Sequence, residues 1–183
     1  MTENIFPILT TERLILRCIS QDDAESLTIL RSDNEVNKYL DRPKVTTLND
    51  SQLFIQKILR GVIEKTNYYW IITQKEEELL IGAIGFWNFS ADKKTAEIGY
   101  ELLPFYHGKG IMKEAILSVI EFGFKHLGLL KFLAFPKENN LKSIKLLKKV
   151  GFSEDVSYKN EADEDLKYYK VFVLNYKPQI LLI

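Results

Sequence analysis

Cysteine is nearly absent from these 183 residues. The single one, Cys18, excludes an internal disulfide and any metal site built from several thiolates. It falls in a strand-like run, where a reduced thiol in the core or at a sheet edge is the ordinary reading. Histidine is almost as scarce. His107 and His126 are too few and too far apart to seed a metal site, so no metal is expected. Surplus charge is missing as well, since 25 Lys and Arg meet 25 Asp and Glu. Coating nucleic acid or an anionic membrane depends on excess cations, so neither partner is expected. No apolar run approaches the roughly 18–20 residues of a membrane span. The first residues lack the basic-then-apolar order of an export signal, because Glu3 and Asn4 come early. A cytoplasmic protein is the expectation. Internal repeats and Gly/Ser/Pro-rich linkers are also missing, so residues 1–183 are expected to form one domain with a real core.

What is there is patterned. Residues 13–19 alternate as a strand, with Leu14 and Leu16 set against Arg13, Ile15 and Arg17. Ser20 before Gln21, Asp22 and Asp23 reads as an N-cap with acidic residues in the first turn, opening a helix to about residue 31. Asn49 or Asp50 caps a second predicted helix through residue 64. Residues 68–73, 79–89 and 95–103 are predicted strands joined by short polar turns, an antiparallel meander. Residues 107–127 carry apolar side chains in two adjacent stripes at four-residue spacing, a broad helical face meant to lie on a sheet. Residues 131–135 form a short strand. Residues 140–150 form a helix stopped at Gly151, and strands follow at 152–158 and 168–176 around an acidic turn at 160–165. The predicted fold class is α/β (α+β): a mixed, mostly antiparallel sheet of about seven strands flanked by helices.

The most informative stretch runs from Ala96 to Ala115, AEIGYELLPFYHGKGIMKEA. A strand enters a loop with two glycines, and the loop opens directly into the long helix. Amide N–H groups at a helix start have no intrahelical partner and carry partial positive charge. Gly108 and Gly110 let backbone curl close to an anion. The amides of Gly108, Lys109, Gly110, Ile111 and Met112 therefore make a candidate pyrophosphate cradle; a tight strand–helix turn is the plainer reading. A Walker loop is excluded, since Gly110 rather than Ser or Thr follows Lys109. The dinucleotide fingerprint fails at Lys113.

Three segments together resemble the GNAT (general N-acetyltransferase) superfamily. The glycine loop resembles its Q/R-x-x-G-x-G/A acetyl-CoA motif. Asn140, Ser143, Lys149, Gly151 and Phe152 match its N-x-x-S and K-x-G-F pattern. Residues 11–17, TERLILR, resemble the start of its ribosomal-protein N-terminal acetyltransferase branch. Phe105 departs from the family's Gln/Arg position, and Leu147 stands where many members carry an acidic Tyr.

The resemblance implies acetyl-CoA as donor, bound where strands 95–103 and 131–135 splay apart, with backbone at Leu102 and Leu103 meeting the pantetheine arm. It implies direct transfer to a primary amine, either a protein N-terminus or a small amine. The alternative is a non-catalytic acyl-CoA-binding sensor or interaction module. Glu97 is the first choice of base and Glu101 the second, each set against a plain solvated strand residue. Ser143 substitutes for the missing acid, or is simply a helix residue. Asn140 is a helix N-cap, a pantetheine contact, or both. Lys137, Lys142, Lys145, Lys148 and Lys149 are read mainly as a solvated face, and Trp87 as a core residue or part of the acceptor pocket. Paired subunits are common in the superfamily, so the chain is expected as a monomer or homodimer.

Overall fold

The computed structural model describes residues 6–157 and 169–177, so the expected acidic turn at 160–165 lies outside it. Eight strands form one sheet, one more than expected because Leu9–Thr10 (β1) adds an edge. The others are β2 (Leu14–Cys18), β3 (Tyr68–Gln74), β4 (Glu77–Trp87), β5 (Thr95–Leu102), β6 (Lys131–Ala134), β7 (Ser153–Glu154) and β8 (Phe172–Asn175). Their spatial order is β1-β2-β3-β4-β5-β6-β8-β7. Every neighbour pair is antiparallel except β5 with β6. That parallel pair joins Thr95, Ala96 and Glu97 to Lys131, Phe132 and Leu133 and then stops, while β5 continues to Leu102.

Helices cover both faces, which is why β3 is apolar on both sides. On one face Trp70, Ile72, Ile84, Phe86, Ala96 and Ile98 pack against helix α4 (Ile111–His126) and α5 (Leu141–Lys149). Ile111, Ala115, Val119, Met112, Ile116 and Ile120 are all buried there, the two stripes read from sequence. On the other face Tyr69, Ile71 and Ala83 meet Leu27 and Leu30 of α1 (Ala24–Ser32) and Ile55 of α3 (Leu48–Ile63). A one-turn helix, α2 (Asn34–Asn37), links α1 to the loop before α3. No helix among the described residues is long and apolar enough to cross a membrane.

Local chemistry corrects several expected boundaries. Thr47, not Asn49 or Asp50, caps α3: its Oγ1 accepts from the Asp50 N–H at 3.1 Å, and Asp50 accepts in return from the Thr47 N–H at 2.9 Å. That reciprocal pair satisfies two donors that the helix end would otherwise leave bare. Helix α4 begins at Ile111 rather than residue 107, because Gly108 and Gly110 hold φ of +76° and +79°, outside the right-handed helical region. Strand β7 is shorter than expected. Asp155 accepts from the Ser157 N–H and hydroxyl, a turn that ends the extended run.

Helix α4 lies tight against the sheet at Gly123, where a Cβ would stand 2.4 Å from Cζ of the fully buried Phe132. Alanine gains about 1 kcal/mol of helix propensity over glycine, but overpacking a filled core loses about 1–3 kcal/mol. Gly123→Ala is therefore expected to lower the urea midpoint rather than raise it, as equilibrium denaturation would show.

Candidate active site

Two cavities open where β5 leaves β6. The larger, about 1090 Å³, lies over the α1/α3 face and includes Trp87, Glu97, Gly99 and Glu101 in its lining. The smaller, about 690 Å³, runs past the glycine loop and includes Gly108, Gly110, Ile111 and Met112. They share Tyr39, Leu40, Tyr100, Glu101, Asn140 and Ser143. The two cavities therefore adjoin at this junction.

Backbone accounting explains the opening. The Leu103 N–H donates to the Ile81 carbonyl at 2.9 Å, and Gly82 faces Leu102 across the β4–β5 ladder. In an antiparallel ladder this register turns the N–H and C=O of Leu102, Tyr100 and Ile98 toward the opposite edge, where β6 takes the Ile98 N–H and then no longer pairs. His107 Nε2 lies 2.9 Å from the Leu102 carbonyl, a contact that makes Nε2 the protonated nitrogen and pins the loop. The last bridge of the parallel pair, Glu97 with Leu133, takes the Ile98 N–H onto the Leu133 carbonyl, so the edge donors left over belong to Leu102 and Tyr100. The Leu103 amide, expected beside Leu102 in the pantetheine arm's path, is committed to β4.

At the glycine loop, the first intrahelical bond runs from the Glu114 N–H to the Gly110 carbonyl at 3.1 Å. The amides of Ile111, Met112 and Lys113 therefore point out of the helix end. A Cβ built on Gly108 meets no atom within 4 Å: the space beside it is open. Lys109 does not line the cavity; its ammonium lies 3.9 Å from the Phe105 ring centroid, so the departing Phe105 carries a cation at the loop surface. Lys113, Lys142, Lys145 and Lys149 line the smaller cavity. Three of the five helix-region lysines read as solvated thus face it. These features suit a polyphosphate chain.

The opening TERLILR segment has a specific task. Glu114 accepts from the Thr11 hydroxyl, from the Arg13 N–H at 2.9 Å and from Arg13 Nε at 2.7 Å. Arg13 Nη1 donates to the Lys109 carbonyl at 2.9 Å. Burial works to raise the Glu114 pKa, but these hydrogen bonds outweigh it and hold the carboxyl below its ordinary value. Strand β2 is thereby tied to the glycine loop.

On β5, alternation places Ala96, Ile98 and Leu102 in the α4 core and turns Glu97, Gly99 and Glu101 to the other face. Continuous pairing from Glu97 to Leu102 shows no register shift against β4. Burial raises the Glu97 carboxyl above its usual pKa, opposed by hydrogen bonds from Asn88, at 2.8 Å, and from Trp87. Trp87 lies across Gly99, where any Cβ would sit 2.5 Å from the indole. Glu101 is differently placed: Arg42 and Tyr69 donate to it and Arg31 stands 3.7 Å away. With both oxygens engaged, it is badly placed to take a proton from an amine.

At the junction, Ser143 Oγ and Tyr100 Oη are 2.8 Å apart. Burial pushes the Tyr100 phenol up to about 12, with the serine contact pulling the other way. Asn140 caps α5 by accepting from the Ser143 N–H at 3.1 Å, which leaves its Nδ2 as a donor at the cavities. Leu147 is buried at the end of the larger cavity, so the phenol here arrives from the strand. The sequence reading missed Tyr100, Arg31 and Arg42. Tyr100 was legible only as an inward strand residue, and neither arginine belongs to a motif.

Such a sheet, with a glycine loop beside a splayed parallel pair, is the fold of acetyltransferases of known structure. Residues 13–153 match the acetyltransferase (GNAT) domain model, and the chain belongs to that family of N-acetyltransferases. It is 34% identical over 172 residues to the uncharacterised N-acetyltransferase YoaA of Bacillus subtilis, covering 91% of this chain and 97% of that one. A putative ribosomal-protein-serine acetyltransferase from Vibrio cholerae superposes with a TM-score of 0.80 at 23% identity, covering 96% and 100% of the two chains. The microcin C7 self-immunity acetyltransferase MccE, solved with acetyl-CoA and AMP, gives 0.78 at 24% identity over 91% and 94%. Acetyl-CoA is the donor in this family. Among the described residues no group of three or more His, Cys, Asp or Glu could hold a metal ion.

Two variants separate cradle from scaffold. Gly108→Val points its side chain into open space, so it is expected to weaken acetyl-CoA binding about tenfold or more; the φ strain lowers stability by only about 1–2 kcal/mol. Arg13→Ala frees the Lys109 carbonyl without touching the cavity and is expected to raise the KM for acetyl-CoA about tenfold. Calorimetric titration and steady-state kinetics read the two effects.

Proposed function

We propose that this enzyme binds acetyl-CoA in the smaller cavity and acetylates a primary amine admitted through the larger one. The carrying observation is the junction: both cavities end on Tyr100, Asn140 and Ser143. The amides of Gly108, Lys109, Gly110, Ile111 and Met112 take the pyrophosphate, of which Lys109 acts through its backbone alone. The edge of β5 at Leu102, with the Asn140 amide, takes the pantetheine arm. Leu103 supports that edge by anchoring it to β4.

Acetyl-CoA supplies a thioester whose carbonyl accepts the amine. The edge N–H groups of β5 supply fixed donors for the negative charge that builds on that carbonyl oxygen. Glu97 takes the proton from the ammonium, directly or through water, because its raised pKa makes it a better base than an ordinary carboxylate. As the C–S bond breaks, Ser143 donates a hydrogen bond to the sulfur, oriented by Tyr100. A phenol near 12 is a weaker acid than a thiol near 8.5, so this pair steadies the thiolate. The first proton stays on Glu97 and returns to solvent; the second, which the attacking nitrogen sheds as the tetrahedral intermediate collapses, completes the thiol.

The acceptor class within primary amines is where the relatives diverge. Their names include ribosomal-protein acetyltransferases, among them one of Escherichia coli at 25% identity over 178 residues, while MccE carries AMP. Free-thiol release from acetyl-CoA against amines and peptides with varied N-termini ranks these classes. Amine-dependent release is expected; acetyl-CoA binding with no release for any amine would overturn the reading in favour of a sensor.

Glu97→Gln is expected to lower kcat/KM about 100-fold or more and to remove the acid limb of its pH profile, which falls as pH drops toward the raised Glu97 pKa. The linkage sign is the reverse of an ion-paired carboxylate. With its folded value above its unfolded one, Glu97 contributes stability below the unfolded pKa that is lost as pH rises through the folded pKa. The variant should therefore melt no lower than wild type at pH 7. Ser143→Ala is expected to lower kcat about tenfold, the worth of one hydrogen bond to a developing charge.

A further inference from the structure

The larger cavity has one end whose charge its own residues leave unbalanced. Arg31, in the last turn of α1, is 7% exposed, and its guanidinium lies flat on the Phe54 ring, 3.7 Å from the centroid. Stacking fixes the plane and leaves the edge donors to find partners. Nε and Nη1 have none among the described residues. Glu101 Oε1 is 3.7 Å from Nε, an ion pair too long to be a hydrogen bond. Both Glu101 oxygens are engaged elsewhere: Tyr69 donates to Oε1 at 3.1 Å, and Arg42 Nη2 donates to Oε2.

One carboxylate therefore faces two guanidinium groups. The remaining charged residues of this cavity do not change that. Lys137 and Asp41 pair with each other at 2.5 Å, and Tyr169 also donates to Asp41. Glu97 lies four residues back along β5, about 13 Å away at strand rise, beside Asn88. A buried charge with unmade hydrogen bonds is unfavourable unless something supplies the acceptors. Nε and Nη1 point along different edges of the guanidinium, so each can take a separate oxygen acceptor such as an anion supplies.

We propose that Arg31, with Arg42 beside it, seats an anionic group, a carboxylate or a phosphate, carried by the amine acceptor, so that the enzyme selects amines bearing remote negative charge. The inference rests on the larger cavity being the acceptor side. In this arrangement Glu97 and the Arg31 cluster recognise opposite ends of one molecule, the ammonium and the anion. Arg31 is then a binding residue, and Glu101 sets the spacing of the two guanidinium groups.

Matched acceptors long enough to span the two ends test it: 6-aminohexanoate against 6-aminohexanamide, triglycine against triglycine amide, and 4-aminobutyl phosphate against 4-aminobutanol, each with acetyl-CoA. The charged member of at least one pair should show kcat/KM tenfold higher or more, and Arg31→Gln should bring that ratio to about one. The pair that responds tells carboxylate from phosphate. Unaltered affinity for CoA on the variant shows that it is folded, and Arg31→Lys, which keeps the charge but loses the planar guanidinium and its donor directions, should retain only part of the ratio. Equal rates within every pair, or a ratio that survives Arg31→Gln, would overturn the seat while leaving acetyl transfer intact. If no compound is acetylated, calorimetric titration of the CoA-loaded protein with the same compounds decides. Binding of charged members alone, lost in Arg31→Gln, supports the seat although acetyl transfer fails; no difference between members overturns it.

Discussion

After Glu97 and Leu133, β5 and β6 part, and beyond the Ile98 N–H the central strand runs on to Leu102 with one edge bare. Backbone donors and acceptors in a protein interior are almost always paired, so such an edge persists only where something else meets them. One partner is internal: the His107 ring at the Leu102 carbonyl. The rest face the smaller cavity, where the pantetheine arm of the proposed donor, with its own amides, would complete the ladder as a strand does at a sheet edge. Two packed faces hold the gap open. Clusters around Phe86 and Phe132 on one side and around Ile71 and Leu27 on the other keep the sheet rigid while its middle is split.

Carboxylates illustrate how neighbours divide labour on one short strand. Glu97 and Glu101 share a face and a cavity. Glu97 has only neutral partners, Asn88 and Trp87, and burial lifts its pKa. Glu101 sits between arginines and a tyrosine, which engages its oxygens in structure. Glu114 shows the third case, a carboxyl half enclosed by Thr11 and Arg13 that works as a clamp for the glycine loop. Three groups of the same chemistry thus meet three environments: buried among neutral partners, ion-paired, and clamped to the glycine loop.

The motifs read from sequence turn out to be coupled. Residues 11–17 resemble a family opening, yet their contribution lies some hundred residues away, at Glu114 and Lys109. The Phe105 departure is partnered by Lys109, which turns from the cavity to cover the ring. Loss of the usual phenol at Leu147 is accompanied by a phenol from β5, hydrogen-bonded to the serine of the same helix.

Sequence alone determined whatever depends on local spacing: the apolar stripes of α4, the alternation of β5, the glycines that only a positive φ explains, and the N-cap at Asn140. These are legible because helix and strand periods and backbone sterics act within a few residues. Tertiary structure decided what depends on two distant segments meeting. Arg31 is an unremarkable arginine at a helix end until α1 packs it onto Phe54 and beside Glu101. Tyr100 is an inward strand residue until α5 brings Ser143 to its hydroxyl. The direction of the Leu103 amide is set by the β4–β5 register, and register comes from the packing of whole faces. Pairing, burial and pKa belong to the assembled sheet, since each is a relation between residues that the chain keeps far apart.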